Sequence, residues 1–121
     1  MKRHQTIIDS FFNAFSGIGE TFRTERNIKI QAVVGFFVLV LSFLLRLNPI
    51  ELIVIMITVG LVLALEMINT AIETLSDEVD LNYNKSIKKV KDASAGAVLI
   101  FSMFSIIVGI LIFTPKLVNF L

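Results

Sequence analysis

Three carboxylates and an amide close a long apolar stretch near the middle of the chain, in Glu66-Met67-Ile68-Asn69-Thr70-Ala71-Ile72-Glu73-Thr74-Leu75-Ser76-Asp77. At about 100° per residue on a helix, Glu73 falls roughly 20° from Glu66, Asp77 about 20° to the other side, Thr70 about 40° away and Asn69 about 60° away. All five polar groups therefore share one helical face. Residues 52–65, which lead into the cluster, carry no charge. An ionisable group at that depth is expensive in an apolar setting and marks a functional site.

Carboxylates beside a lysine suit a metal-nucleotide complex. Mg2+ is commonly held by one or two carboxylates together with the phosphates themselves, and Glu25 and Glu73 could supply those oxygens. Lys91, the last cation before the final apolar run, is placed to neutralise phosphate charge. A separate, partly desolvated carboxylate can take a proton from a hydroxyl nucleophile. Glu66 lies about 10 Å deeper along the helix than Glu73, nearer to where a lipid hydroxyl would reside. Intramembrane acids also build proton or cation pathways, but here they are confined to one end of one apolar segment. Neither G-x-x-x-x-G-K-[ST] nor G-x-G-x-x-G occurs to hold a nucleotide. Spacing alone leaves phosphoryl transfer, a small transporter and a structural membrane protein all open, with phosphoryl transfer first.

The elements that must position these groups are helices in a bilayer. The chain has 121 residues, 55% of them hydrophobic, more apolar surface than one soluble core of this size can hide. The nearly uncharged runs 32–45, 52–65 and 93–114, with their flanks, each approach the about 20 residues that cross a bilayer. Three transmembrane helices are expected, over about 28–47, 50–75 and 88–114, within a single domain covering 1–121. Of the Lys and Arg residues, all but Arg46 and Lys116 fall before the first span or between the second and third. The positive-inside tendency then puts the N-terminus and the carboxylate cluster on the cytoplasmic side and the C-terminus outside. The first 30 residues lack the apolar core of a cleaved signal peptide. Without cysteine, disulfides and thiolate metal sites are excluded, and His4 reads as a solvated residue.

In chain order, apolar residues at 7, 8, 11, 12, 15, 18 and 22 mark an amphipathic helix over about 6–24. It is too polar to span and suits the membrane surface or the flank of its own bundle. Arg23, Arg26 and Lys29 read as headgroup anchors, but Glu25 gains nothing from anionic headgroups. Pro49 is suited to start the second span, and Glu51 has no assigned chemistry. Residues 78–86 read as a loop, with Ser86 capping the third span. Ala93-Ser94-Ala95-Gly96-Ala97 permits close helix approach, and Thr114-Pro115-Lys116 ends the span.

Glu66-x-x-Asn69-Thr70-Ala71-Ile72-Glu73-x-x-x-Asp77, followed by Lys91-Asp92-Ala93-Ser94-Ala95-Gly96-Ala97-Val98-Leu99, closely resembles the signature of the prokaryotic diacylglycerol kinase family of small integral membrane kinases. The flank Thr24-Glu25-Arg26-Asn27 and the ending Phe113-Thr114-Pro115-Lys116 resemble its Gram-positive branch, which prefers undecaprenol. The resemblance implies an all-α membrane protein forming a homotrimer with shared sites, each binding MgATP and a lipid alcohol among membrane lipids, and no nucleic-acid partner. It implies Glu66 as general base, Glu25 and Glu73 as metal ligands, and Asn69, Lys91 and Asp92 as nucleotide and active-site residues. Asn82, Tyr83 and Asn84 match where the family contacts adenosine, although some members carry His where Asn84 stands. The expected reaction is phosphorylation of undecaprenol, with diacylglycerol as the alternative acceptor. Thr6 and Asn13 stand where certain relatives carry basic or aromatic groups near the substrate.

Overall fold

The computed structural model describes residues 6–79, 82 and 84–121. Its described residues form four α-helices and no strand: α1 Ile7–Thr24, α2 Arg26–Leu44, α3 Pro49–Val79 and α4 Lys85–Phe120. The last three are long and apolar enough to cross a membrane. At 1.5 Å per residue, α3 spans about 46 Å and α4 about 54 Å. Both outrun a hydrocarbon core of about 30 Å.

α1 opens with a capping box, in which the Asp9 N–H donates to Thr6 Oγ1 at 3.1 Å and the Thr6 N–H donates to Asp9 Oδ2 at 3.3 Å. No α1 residue is buried, and its apolar residues Ile7, Phe11, Phe15 and Ile18 are all exposed. Such a face is satisfied by lipid. The extended backbone of Glu25 (φ −105°, ψ 119°) ends α1 and starts α2, so a single residue turns the surface helix into the first span.

α3 is the central element. It packs against α1, α2 and α4, whereas α2 and α4 do not touch among the described residues. Close approach of α2 to α3 is set at Gly35, which is buried and where a Cβ would lie 2.7 Å from Val59 Cγ1. Because α2 and α4 stand apart, an open trough of about 440 Å3 runs over the face of α3, floored by Ile55, Thr58, Val59 and Val62. Two of its hydroxyls are turned to their own helices: Thr58 Oγ1 donates to the Val54 carbonyl at 2.7 Å and Ser105 Oγ to that of Phe101 at 2.8 Å. The trough therefore presents a mostly apolar surface.

Four boundaries differ from the sequence expectation. α2 stops at Leu44, not near 47. Arg46 adopts a left-handed φ of 55°, and the Leu47 N–H reaches the Ser42 carbonyl at 3.1 Å. That six-to-one bond closes helices by the Schellman geometry, usually at glycine, so the absence of glycine hid the stop. α3 continues through Val79, past the limit expected near 75. Asn84, not Ser86, caps α4, its Oδ1 accepting from the Ser86 and Ile87 N–H groups at 2.9 and 3.3 Å. α4 also runs through Pro115 to Phe120. Proline forfeits one helical hydrogen bond, but its φ is helical and leaving the helix would expose more backbone to lipid. Lys116 Nζ, beyond the proline, pairs with Glu51 Oε1 at 3.0 Å and ties the far ends of α3 and α4 together.

Candidate functional site

The head of the trough lies where the stripe Ile55, Val59 and Val62 continues to Glu66, the next residue of that face. Glu66 is 6% exposed and Asn69 8%. They are buried because α3 is the one helix that the other three all touch, and a central helix can cover a polar stripe that would otherwise meet lipid. Glu25 and Glu73 both lie close enough to Glu66 to act on its charge. The turn between α1 and α2 thus brings a carboxylate from 41 residues upstream to the cluster on α3.

Asn69 is the pivot of the cluster. Its Nδ2 donates to Glu73 Oε1 at 3.1 Å, and its Oδ1 accepts from Ser94 Oγ of α4 at 2.7 Å. Lys91 Nζ, three residues before Ser94, pairs with Asp77 Oδ1 at 2.8 Å and lies within electrostatic reach of Glu73. α4 therefore contributes one cation and one hydroxyl to a face of α3 that carries acids and the Asn69 amide. Glu25 occupies the N-cap position of α2 but makes no side-chain capping bond, so its carboxylate is not committed to the helix start.

Other expected residues are engaged elsewhere or exposed. Asp92 pairs with Lys88 at 2.6 Å on an exposed part of α4, while also lying within electrostatic reach of Lys91. Asn82 is exposed between α3 and α4, and the Asn84 side chain is engaged in capping α4. Tyr83 lies outside the described residues. Thr6 is taken up by its capping box and Asn13 is exposed on α1.

Two participants escaped the reading of the sequence. By sequence Ser94 reads as one of the small residues that allow close approach, although a hydroxyl within an Ala/Gly run also marks a donor aimed across a helix pair. The Asp77–Lys91 pair joins residues that both drew notice, but nothing local links positions 14 apart.

Carboxylate oxygens are the donors that a hard divalent cation takes. Glu25 and Glu73 offer carboxylate oxygens, and Asn69 occupies only one oxygen of Glu73. Among the described residues, no three Asp, Glu, His or Cys side chains form a closed metal cage. A cation here would take its remaining ligands from phosphate and water, as Mg2+ ordinarily does.

A family model described as prokaryotic diacylglycerol kinase matches residues 12–113. The chain is 42% identical over 120 residues to an undecaprenol kinase of Bacillus subtilis, covering 96% of this chain and 98% of that protein. It is 36% identical over 114 residues to a diacylglycerol kinase of Synechocystis sp., covering 93% and 65% of the two chains. A diacylglycerol kinase of Haemophilus influenzae is 29% identical over 94 residues, covering 78% and 80%.

Proposed function

The chain belongs to the prokaryotic diacylglycerol kinase family, and on that premise we propose that it transfers the γ-phosphoryl group of MgATP to the hydroxyl of undecaprenol. The observation that carries the reading is Glu66, a buried carboxylate one helical turn beyond the Val62 end of an apolar trough, with further acids about two and three turns beyond it on α3. A lipid alcohol lying with its chain along the trough would bring its hydroxyl to Glu66. Glu66 accepts the hydroxyl proton as that oxygen bonds to the γ-phosphorus and ADP leaves. Glu25 and Glu73 would hold Mg2+, which when bound offsets phosphate charge and orients the group transferred. Asn69 fixes Glu73, and Lys91 supplies positive charge beside it. Positioning and electrostatics account for most of the rate in such transfers, which suits a site made of held charges.

Near full-length similarity to an undecaprenol kinase supports undecaprenol as acceptor, whereas two other relatives are diacylglycerol kinases. Transport is disfavoured. The buried polar groups among the described residues are Ser42, Glu66, Asn69 and Ser76, and Ser42 Oγ is bonded within its own helix to Val38 at 2.8 Å. They provide no polar steps across the spans.

The site faces the cytoplasm, a reading supported by the Lys and Arg flanks around α1 and between α3 and α4. Three copies share their sites, a reading supported by family resemblance and by the sparse burial within one chain. Nucleotide contacts from Asn82, Tyr83, Asn84 and Asp92 belong to the same proposal. Its test supplies γ-labelled ATP and Mg2+ to the purified chain in mixed micelles with undecaprenol or diacylglycerol. Label should enter undecaprenol with the higher kcat/KM. Preferential labelling of diacylglycerol would reassign the acceptor, and label in neither lipid would refute the kinase reading.

A further inference from the structure

The hydrogen-bond chain from Ser94 through Asn69 to Glu73 has only one chemically consistent direction. An ionised carboxylate can only accept, so the Asn69 group facing Glu73 at 3.1 Å must be its NH2. The amide oxygen then faces α4, where Ser94 Oγ lies 2.7 Å away and must donate. Rotating the amide by half a turn would set its oxygen against the Glu73 carboxylate. Asn69 is 8% exposed, so water has little access to replace either partner.

We propose that Ser94 is a positioning residue for the metal-nucleotide site: its hydroxyl locks the Asn69 amide so that one oxygen of Glu73 is held and the other is presented to the cation. The inference rests on the assignment of Glu73 as a metal ligand. It adds a residue on α4, 25 positions from Asn69, and makes the α3–α4 contact part of cation affinity. Loss of the hydroxyl removes the α4 anchor of the Asn69 oxygen, so that the Asn69 side chain can swing away from α4 and Glu73 can change rotamer with it. The outer partners of metal ligands typically affect metal affinity by about 10–100-fold.

Mn2+ binding to the full chain in detergent, followed by electron paramagnetic resonance with a non-hydrolysable ATP analogue present, reads this without turnover. Ser94→Ala should weaken Mn2+ by about tenfold or more. Ser94→Thr, which keeps a hydroxyl, should recover most of the loss, whereas Ser94→Val, of similar volume without one, should not. In the metal-free protein, the Asn69 side-chain NH2 should exchange with solvent faster in Ser94→Ala than in the parent, as seen by NMR. Unchanged Mn2+ affinity in Ser94→Ala, equal recovery by Val and Thr, or unchanged Asn69 exchange would each overturn the proposal. Glu73→Gln separates it from its premise. If that variant loses Mn2+ affinity while Ser94→Ala does not, only the role of Ser94 fails. If Glu73→Gln binds Mn2+ normally, Glu73 is not a ligand and both readings fall.

Discussion

Replacing Glu66 by glutamine should separate catalysis from stability in opposite directions. Glu66 and Glu73 are seven residues apart on α3, hence about 10 Å along the axis. With both ionised and an effective dielectric near 20, two charges at about 10 Å repel by roughly 1.7 kcal/mol, and Glu25 acts on Glu66 with the same sign. Glutamine keeps nearly the same shape and removes that repulsion. The Glu66→Gln protein should therefore melt no lower than the parent in the same detergent. Turnover should fall by about 10²–10⁴, the contribution of a positioned general base, or about 2.7–5.4 kcal/mol of barrier. Affinity for a MgATP analogue should be retained or improved. The assay pairs label transfer from γ-labelled ATP to undecaprenol with a thermal unfolding curve on one preparation. Near-parental kcat would remove Glu66 as base. Lost turnover accompanied by a depressed melting midpoint would show a structural carboxylate and refute the argument from like charges.

Further perturbations follow from the same geometry. Gly35→Ala gains helix propensity worth about 1 kcal/mol, but its Cβ meets the Val59 Cγ1 position at 2.7 Å. The stiff, β-branched Val59 cannot easily yield, so overpacking of about 1–3 kcal/mol prevails, and unfolding assays should show Val59→Ala suppressing the loss. Asp77→Asn should raise the KM for MgATP several-fold with little change in melting, because the Asp77–Lys91 pair is too exposed to matter greatly for stability; a matched fall in both would make the pair structural. Asn84→Ala should cost about 0.5–2 kcal/mol through loss of the α4 cap. Asn84→Ser should restore most of it, and a nucleotide-affinity defect surviving in Asn84→Ser would point to a direct contact.

Most of the fold was legible because bilayer-crossing helices announce themselves by apolar length, and α1 by its stripe of Phe and Ile. The clustering of Glu66, Asn69 and Glu73 on one face followed from helical period alone. Helix ends were less legible where two signals competed. Asn84 and Ser86 are both good caps two residues apart, and Arg46 adopts a conformation that sequence assigns to glycine. Pro115 signals a stop in water, whereas surrounding lipid favours keeping the remaining backbone bonds. Within the candidate site, the unseen parts are those set by cross-helix packing. Ser94 meets Asn69 only because α4 returns alongside α3, and no local pattern encodes the register of that return.

Ile28 and Ile55, 0% and 3% exposed, are the buried hydrophobic residues among those described. The described residues thus have almost no interior of their own, and the host amphiphile supplies most of their apolar contacts. Whatever associates only with the folded form adds to apparent stability by mass action. Melting temperatures will consequently shift with tail length and with the amphiphile-to-protein ratio. Variants can be ranked only within one fixed host, and stripping that host away should inactivate the protein without any change in its covalent structure.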